Sequence, residues 1–189
     1  MILDPPARRH LVAVVAFDGM APFELSSVVE VFRPRPDLGV PWYDLRVCSP
    51  RPGPLRFLGG FTVTTEHGMD VLADADTVVV PQVPDIHGDI PEPVVDALKR
   101  AHARGARIVS ICSGAFALAA AGLLDGREAT THWRFADTLR RRFPRVRGTP
   151  DVLYVDGDDV LTGAGSAAGL DLCLHLVRKD HGARIANSV

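Results

Sequence analysis

The sequence lacks an excess of either charge. Its 189 residues include 21 Lys and Arg and 23 Asp and Glu, which gives a formal net charge of −2. Domains that bind nucleic acid directly usually carry a clear surplus of basic residues. We therefore expect that DNA is not a direct partner of these 189 residues.

Long apolar runs are absent as well. The longest apolar stretches, such as residues 11–17, are far shorter than the roughly 20 residues that a membrane-spanning helix needs. The first ten residues have no continuous apolar segment of the kind found in secretory signals. These absences predict a cytoplasmic protein with no membrane partner.

Cysteine is scarce and its spacing is irregular. The three cysteines are Cys48, Cys112 and Cys173, with no C-x-x-C pair among them. An odd number without paired spacing argues against a disulfide framework and against a structural zinc site. The histidines show no metal-ligand spacing such as H-x-x-x-H. We expect reduced thiols, no bound metal and no cofactor.

Short apolar segments alternate with amphipathic segments along the chain. Residues 10–17 and 76–82 are nearly continuous apolar runs, the pattern of strands that are covered on both faces. Residues 22–33 and 92–105 have apolar side chains at helical spacing. The alternation continues, with strands predicted at 42–49, 106–111, 128–131, 151–156 and 158–163, a hairpin at 54–66, and helices at 113–122, 133–143 and 166–182.

This order of elements predicts an α/β fold, a doubly wound and mainly parallel sheet between helices. Ligands of such sheets bind at the carboxyl ends of the strands. Residues 1–9 contain Pro5-Pro6 and Arg8-Arg9 and are predicted to form a flexible leader. Residues 10–189 are predicted to form one domain.

Cys112 stands where a predicted strand meets a predicted helix. Ser110 precedes it by two residues and Gly114 follows it by two, which meets the need of a nucleophile elbow for small neighbours. A thiol at a helix N-terminus faces unpaired N–H groups and the positive end of the helix dipole, and both lower its pKa. We expect an activated thiol; the alternative is a small residue buried at a turn.

Three segments, residues 16–32, 111–133 and 164–183, together resemble the ThiJ/PfpI superfamily. That resemblance covers about residues 10–187 and implies a flavodoxin-like, class I glutamine amidotransferase-like sandwich. Within the superfamily, the segments are most similar to the sensory N-terminal half of AraC-type transcriptional regulators. Isonitrile hydratases are the enzymes whose cysteine segment is most similar.

The resemblance also implies roles for individual residues. Glu24 matches the acidic partner of Cys112, and the two form a candidate reactive pair: a protonated carboxyl would donate to the thiolate, whereas an ionised one would oppose it. Ser113 stands where peptidase-like members have a histidine base. Gln82 and Val83 replace paired glycines that form an oxyanion hole in many members. The candidate ligand-binding residues are Ser113, Gly114, Gln82, Val83 and His132.

These departures favour ligand sensing over turnover. The resemblance implies an effector-sensing domain of an AraC-type regulator that binds a small molecule, forms a homodimer, and reaches DNA only through a helix-turn-helix domain absent from this chain. The alternative is a stand-alone enzyme of the isonitrile hydratase type, in which Cys112 attacks an electrophilic carbon and Glu24 handles protons. Reversible oxidation of an accessible thiol is a third role.

Overall fold

Ten strands form three sheets in the computed structural model, which describes residues 8–189. The largest sheet has six strands, all of which fall within segments predicted as strands. The strands are β1 (Leu11–Val15), β2 (Asp44–Cys48), β3 (Gly53–Arg56), β4 (Thr62–Thr65), β5 (Thr77–Val80), β6 (Arg107–Ile111), β7 (Glu128–Ala129), β8 (Arg147–Gly148), β9 (Tyr154–Asp156) and β10 (Val160–Gly163).

The six-stranded sheet has the spatial order β2-β1-β5-β6-β10-β9. Every neighbouring pair is parallel except β10 and β9. The central strands β1 and β5 are buried along their whole length, as their continuous apolar runs predict. The predicted doubly wound, mainly parallel sheet is therefore confirmed. Its parallel strands place the chain after β1, β5, β6 and β10 at one edge.

Six α-helices accompany the strands in the described part of the chain. Helix α1 contacts α5, and α2 contacts α3. None of the helices in residues 8–189 combines the length and the apolar character needed to cross a membrane. The helices are α1 (Pro22–Phe32), α2 (Glu92–Ala103), α3 (Ala115–Ala120), α4 (Ala136–Arg142), α5 (Ala167–His181) and α6 (Ala183–Ala186).

Short elements differ most from the sequence-based expectations. The hairpin of β3 and β4 is confirmed, whereas the two-residue strand β8, paired with β7, was not predicted. The predicted helix at 113–122 begins as a 3₁₀ turn at Cys112–Gly114 before α3, and the one at 133–143 begins as a 3₁₀ turn at Trp133–Phe135 before α4. Segments of two or three residues are too short to carry a periodic pattern.

The predicted leader falls mostly on residues 1–7, which lie outside the described residues. Its next residue, Arg8, donates a hydrogen bond of 3.0 Å to the carbonyl oxygen of Asp74 and pairs with the carboxylate of Asp76. The start of the described chain is thereby tied to the segment just before β5.

Candidate functional site

Cys112 occupies the turn between β6 and the following 3₁₀ segment. Its backbone φ is 53°, in the left-handed region that residues with a side chain rarely adopt. Such strained residues cluster at functional sites, because the surrounding structure must hold them in place. The side chain is 4% exposed. The strand-to-helix turn predicted for Cys112 is present, and we call residues 111–115 the cysteine turn.

Two glycines allow the backbone to pack closely around the cysteine turn. A Cβ on Gly114 would lie 1.9 Å from the carbonyl oxygen of Val80, so only glycine fits between the turn and β5. A Cβ on Gly165 would lie 2.7 Å from the Cβ of Cys112, and Gly165 has a φ of 88°. Gly114 was a predicted ligand-binding residue, and its immediate role is this close packing. The contact between Gly165 and Cys112 was not predicted.

Glu24 brings a carboxyl group to the thiol from the first turn of α1. It is 7% exposed, and its Oε2 atom is buried without a hydrogen-bond partner in residues 8–189. Burial, the negative charge of Glu24 and a hydrogen bond with the Glu24 side chain together raise the pKa of the Cys112 thiol to about 12, and the backbone N–H of Ser113 opposes them only in part. This shift runs opposite to the activation expected for the thiol, because burial and a like charge outweigh the Ser113 N–H.

The Ser113 side chain bonds to the backbone of Val83. Its Oγ accepts the Val83 N–H at 3.0 Å and donates to the Val83 carbonyl oxygen at 2.8 Å. Gln82 is also engaged, since its Oε1 accepts the backbone N–H of Ala21 at 2.8 Å. The Val83 N–H occupies the place where the resemblance implies an oxyanion hole, and here it is already satisfied. Three predicted ligand-binding residues thus hold the loops around the cysteine together.

Thr131 joins β7 to the cysteine turn, and His132 follows it. The Thr131 hydroxyl donates to the carbonyl oxygen of Cys112 at 2.7 Å, a contact not predicted. His132 is half-buried, and its Nδ1 accepts the backbone N–H of Arg134 at 3.3 Å, which caps the 3₁₀ turn. Its ring stacks on Trp133 with centroids 5.7 Å apart. These contacts give His132 a structural role as an N-cap.

The arrangement favours binding over proton transfer. The thiol retains its proton at neutral pH because its pKa is about 12. The base of a Cys-His dyad is an imidazole within hydrogen-bond reach of the thiol, and His132 bonds its own turn instead. Among residues 8–189, no group of three or more His, Cys, Asp and Glu side chains is arranged to hold a metal ion. The feature that still requires a partner is the buried Oε2 atom of Glu24.

A parallel sheet with a strained cysteine at the end of β6 and a glutamate in the helix after β1 defines the class of this protein. The chain belongs to the DJ-1/PfpI family, whose model matches residues 10–179. The superfamily inferred from the three sequence segments is thereby confirmed.

Curated relatives include both transcriptional regulators and an enzyme. The chain is 40% identical over 139 residues to an uncharacterized protein in the cpoL 5' region of Streptomyces lividans, covering 73% of this chain and 98% of that one. It is 30% identical over 163 residues to the HTH-type transcriptional regulator CdhR of Pseudomonas aeruginosa, covering 86% and 48%. It is 37% identical over 90 residues to the isonitrile hydratase of Pseudomonas putida, covering 47% and 37%. The chain spans about half the length of the regulator.

Solved structures share the whole fold. An AraC family transcriptional regulator from Pseudomonas putida superimposes with a TM-score of 0.82 at 22% identity, covering 95% of this chain and 96% of that one. A putative transcriptional regulator protein from Vibrio parahaemolyticus gives a TM-score of 0.84 at 21% identity, covering 96% and 97%. At these identities the similarity establishes the fold, and the function needs separate support.

Proposed function

We propose that this chain is the effector-sensing domain of an AraC-type transcriptional regulator. Its effector would be a small molecule that binds beside Cys112 and Glu24 without robust turnover. The relatives named as HTH-type regulators support this assignment, and the chain matches about half of their length. In such a protein, DNA is contacted by a separate helix-turn-helix domain, and the cytoplasm is the expected location.

The unpartnered Oε2 atom of Glu24 carries the proposal. A buried carboxylate oxygen without a donor costs free energy, because it has lost its water and gained nothing in return. An effector that donates an N–H or O–H to this atom would remove that cost. Gly165 also lies against the cysteine, where a larger residue would collide with Cys112. The effector site therefore combines a carboxylate acceptor with a thiol that stays protonated.

Three features argue against robust catalysis at the same site. The thiol pKa of about 12 leaves little thiolate at neutral pH. Ser113 replaces the histidine of the peptidase-like members and bonds Val83. The Val83 N–H is therefore not free to stabilise an oxyanion. Binding needs none of these catalytic groups.

Thermal shift measurements on a panel of small amines, amides and amino acids test the proposed site. We expect at least one compound to raise the melting temperature of the wild type and to lose that effect in Glu24→Gln. Glu30→Gln, on the exposed face of the same helix, is the matched control: it removes the ion pairs with Arg33 and Arg35 but should keep the wild-type response to the compound. A stabilising compound that acts equally on Glu24→Gln would place its site elsewhere, and an inactive panel would count against sensing of donor ligands.

The gene beyond the codon for Val189 tests the regulator assignment. We expect it to encode a basic region with two helix-turn-helix motifs in the same reading frame. A stop codon with no such region would overturn the assignment to a regulator of this type.

An enzyme of the isonitrile hydratase type is the second candidate. The relative of that name, which matches 47% of this chain, supports it. Incubation of the protein with an alkyl isonitrile, followed by chromatography of the formamide product, separates the candidates. Sensing without turnover predicts no difference between the wild type and Cys112→Ala, whereas formamide production that depends on Cys112 would establish the enzyme.

A homodimer is the proposed assembly, and exposed apolar side chains support it. Large apolar patches on soluble proteins commonly mark contacts with other chains. Leu58 bonds the backbone of Met20, and Leu153 bonds that of Ala164, so both lie near the carboxyl edge of the sheet. Among residues 8–189, the exposed large apolar residues are Phe23, Leu58, Phe61, Trp133, Val152 and Leu153.

Sedimentation velocity tests the dimer. Trp133→Ser combined with Leu153→Ser should weaken self-association by about tenfold or more, as loss of central interface contacts does. Arg184→Ser, on the exposed side of α6, is the control. A wild type that sediments as a monomer at all concentrations would overturn the dimer.

A further inference from the structure

A cavity opens at the carboxyl edge of the sheet, apart from the cysteine. Its volume is about 380 Å³, within the range of roughly 300–1,000 Å³ that small-molecule sites occupy. Cys112, Glu24 and Gly165 do not line it. Its apolar walls are Phe17, Leu55 and the prolines at 50, 84, 91 and 93.

The cavity lies where the winding of the sheet reverses direction. From β1 the chain goes to β2 on one side, and β5 lies on the other side of β1. Phe17 follows β1, Pro50 follows β2 and Pro84 follows β5, so the cavity is built from the three segments that leave these strands. In open α/β sheets, ligands bind in the crevice at such a switch point. The cavity therefore has the position of a ligand site as well as the size of one.

The charged residues at the cavity indicate which charge a bound ligand would carry. Asp18 is already engaged: its Oδ1 accepts the backbone N–H of Arg56 at 2.7 Å, and its Oδ2 lies 3.7 Å from the Arg56 guanidinium. Arg51 also lines the cavity, and within residues 8–189 its exposed guanidinium makes no hydrogen bond or ion pair. The unmatched charge at the cavity is therefore positive. A guanidinium binds a carboxylate with two parallel hydrogen bonds.

The walls of the cavity favour a ligand whose uncharged part is apolar. Prolines have no backbone N–H to donate, and the side chains of Phe17 and Leu55 are apolar. A polar ligand body would lose its water here without gaining hydrogen bonds. A ring system with apolar faces would bury those faces against the proline rings and the two apolar side chains.

We infer that this cavity is a second binding site, which takes an aromatic carboxylate whose ring lies among the prolines and whose carboxylate pairs with Arg51. This site is separate from the effector site proposed beside Cys112. The protein would then bind two small molecules of different chemistry, a hydrogen-bond donor at Glu24 and an aromatic anion at Arg51.

Isothermal titration calorimetry with 2-naphthoate tests this site. We expect saturable binding at one site per chain, and at least tenfold weaker binding of 2-naphthalenemethanol, which has the same ring without the charge. Arg51→Gln should weaken 2-naphthoate binding by about tenfold or more, since a charge-assisted bidentate contact is lost. Arg184→Gln, an exposed arginine on α6, is the matched control.

Three further variants locate the binding. Pro93→Trp adds an indole to the wall of the cavity at an exposed position in the first turn of α2, and it should abolish 2-naphthoate binding. Cys112→Ala and Glu24→Gln should leave it unchanged, whatever they do to the other site. The inference is overturned if 2-naphthoate does not bind, if the neutral ring binds equally well, if Arg51→Gln has no effect, or if Cys112→Ala abolishes binding.

Discussion

The hydroxyl of Ser113 forms two hydrogen bonds with the backbone of Val83 at the base of the cysteine turn. The Oγ atom accepts the Val83 N–H at 3.0 Å and donates to the Val83 carbonyl oxygen at 2.8 Å. Both residues are buried. A side chain that follows the cysteine directly therefore engages the Val83 N–H, which the resemblance assigns to an oxyanion hole, and it fixes the loop after β5 against the turn.

Replacement of Ser113 by alanine should destabilise the protein. Ser113→Ala leaves a buried N–H and a buried carbonyl group without partners, so the free energy of unfolding should fall by about 1–3 kcal/mol. Urea denaturation followed by circular dichroism measures the change. Ser26→Ala, at an exposed position in α1, should have no comparable effect. Equal stability of Ser113→Ala and the wild type would mean that water replaces the hydroxyl.

Thiol labelling should report the raised pKa of Cys112. With a pKa of about 12, the thiolate fraction at pH 8 is on the order of 10⁻⁴, so alkylation by iodoacetamide should be slow and should accelerate with pH above 8. Glu24→Gln removes the opposing charge and should speed the labelling of Cys112 at a given pH. Peptide mapping by mass spectrometry gives the rate at each cysteine.

Cys48 and Cys173 provide internal controls for that experiment. Burial raises the pKa of each to about 12, and the charge of Asp70 contributes at Cys48. Their labelling should remain slow in both the wild type and Glu24→Gln. Fast labelling of Cys112 at pH 7 with a plateau below pH 8 would contradict a raised pKa and would restore the redox-sensing hypothesis.

A methyl group at Gly114 should not be tolerated. The added Cβ of Gly114→Ala would lie 1.9 Å from the Val80 carbonyl oxygen, and a central strand cannot move aside as a side chain can. We expect a loss of about 3 kcal/mol or more, at the upper end of overpacking effects, or failure to fold. In the control Gly148→Ala, the new Cβ meets only the flexible Arg140 side chain at 3.3 Å, and denaturation should change little.

Acid should weaken the contact between β9 and α5. Burial raises the pKa of Asp156, but hydrogen bonds from His175 and Lys179 outweigh it and lower the pKa to about 2. A depressed carboxyl pKa contributes stability above the unfolded value of 3.8, and that contribution is lost as the pH falls towards 2. Asp156→Asn should cost about 1–2 kcal/mol at pH 7.

Urea denaturation of Asp156→Asn across the pH range checks both the loss of stability at pH 7 and the disappearance of that loss in acid. The difference from the wild type should shrink between pH 4 and pH 2. Asp158→Asn is the matched control, because that side chain is 99% exposed. A difference that is constant with pH would show that Asp156 acts through packing and not through its charge.

The sequence by itself determined the architecture and the position of Cys112. Continuous apolar runs between amphipathic helices specify a covered parallel sheet, and small residues two positions before and after Cys112 permit the turn at its end. Both are local patterns, so they can be read without knowing which segments meet. Glu24 was assigned to the cysteine through the family resemblance, and the structure places it there.

Only the tertiary structure decided what the site can do. Ser113 meets Val83 across 30 residues, and Gly165 contacts Cys112 although it lies far along the chain. The thiol pKa followed burial and the charge of Glu24 more than the N–H groups of the turn. Desolvation and long-range hydrogen bonds depend on which segments pack together, and a local pattern contains no measure of either.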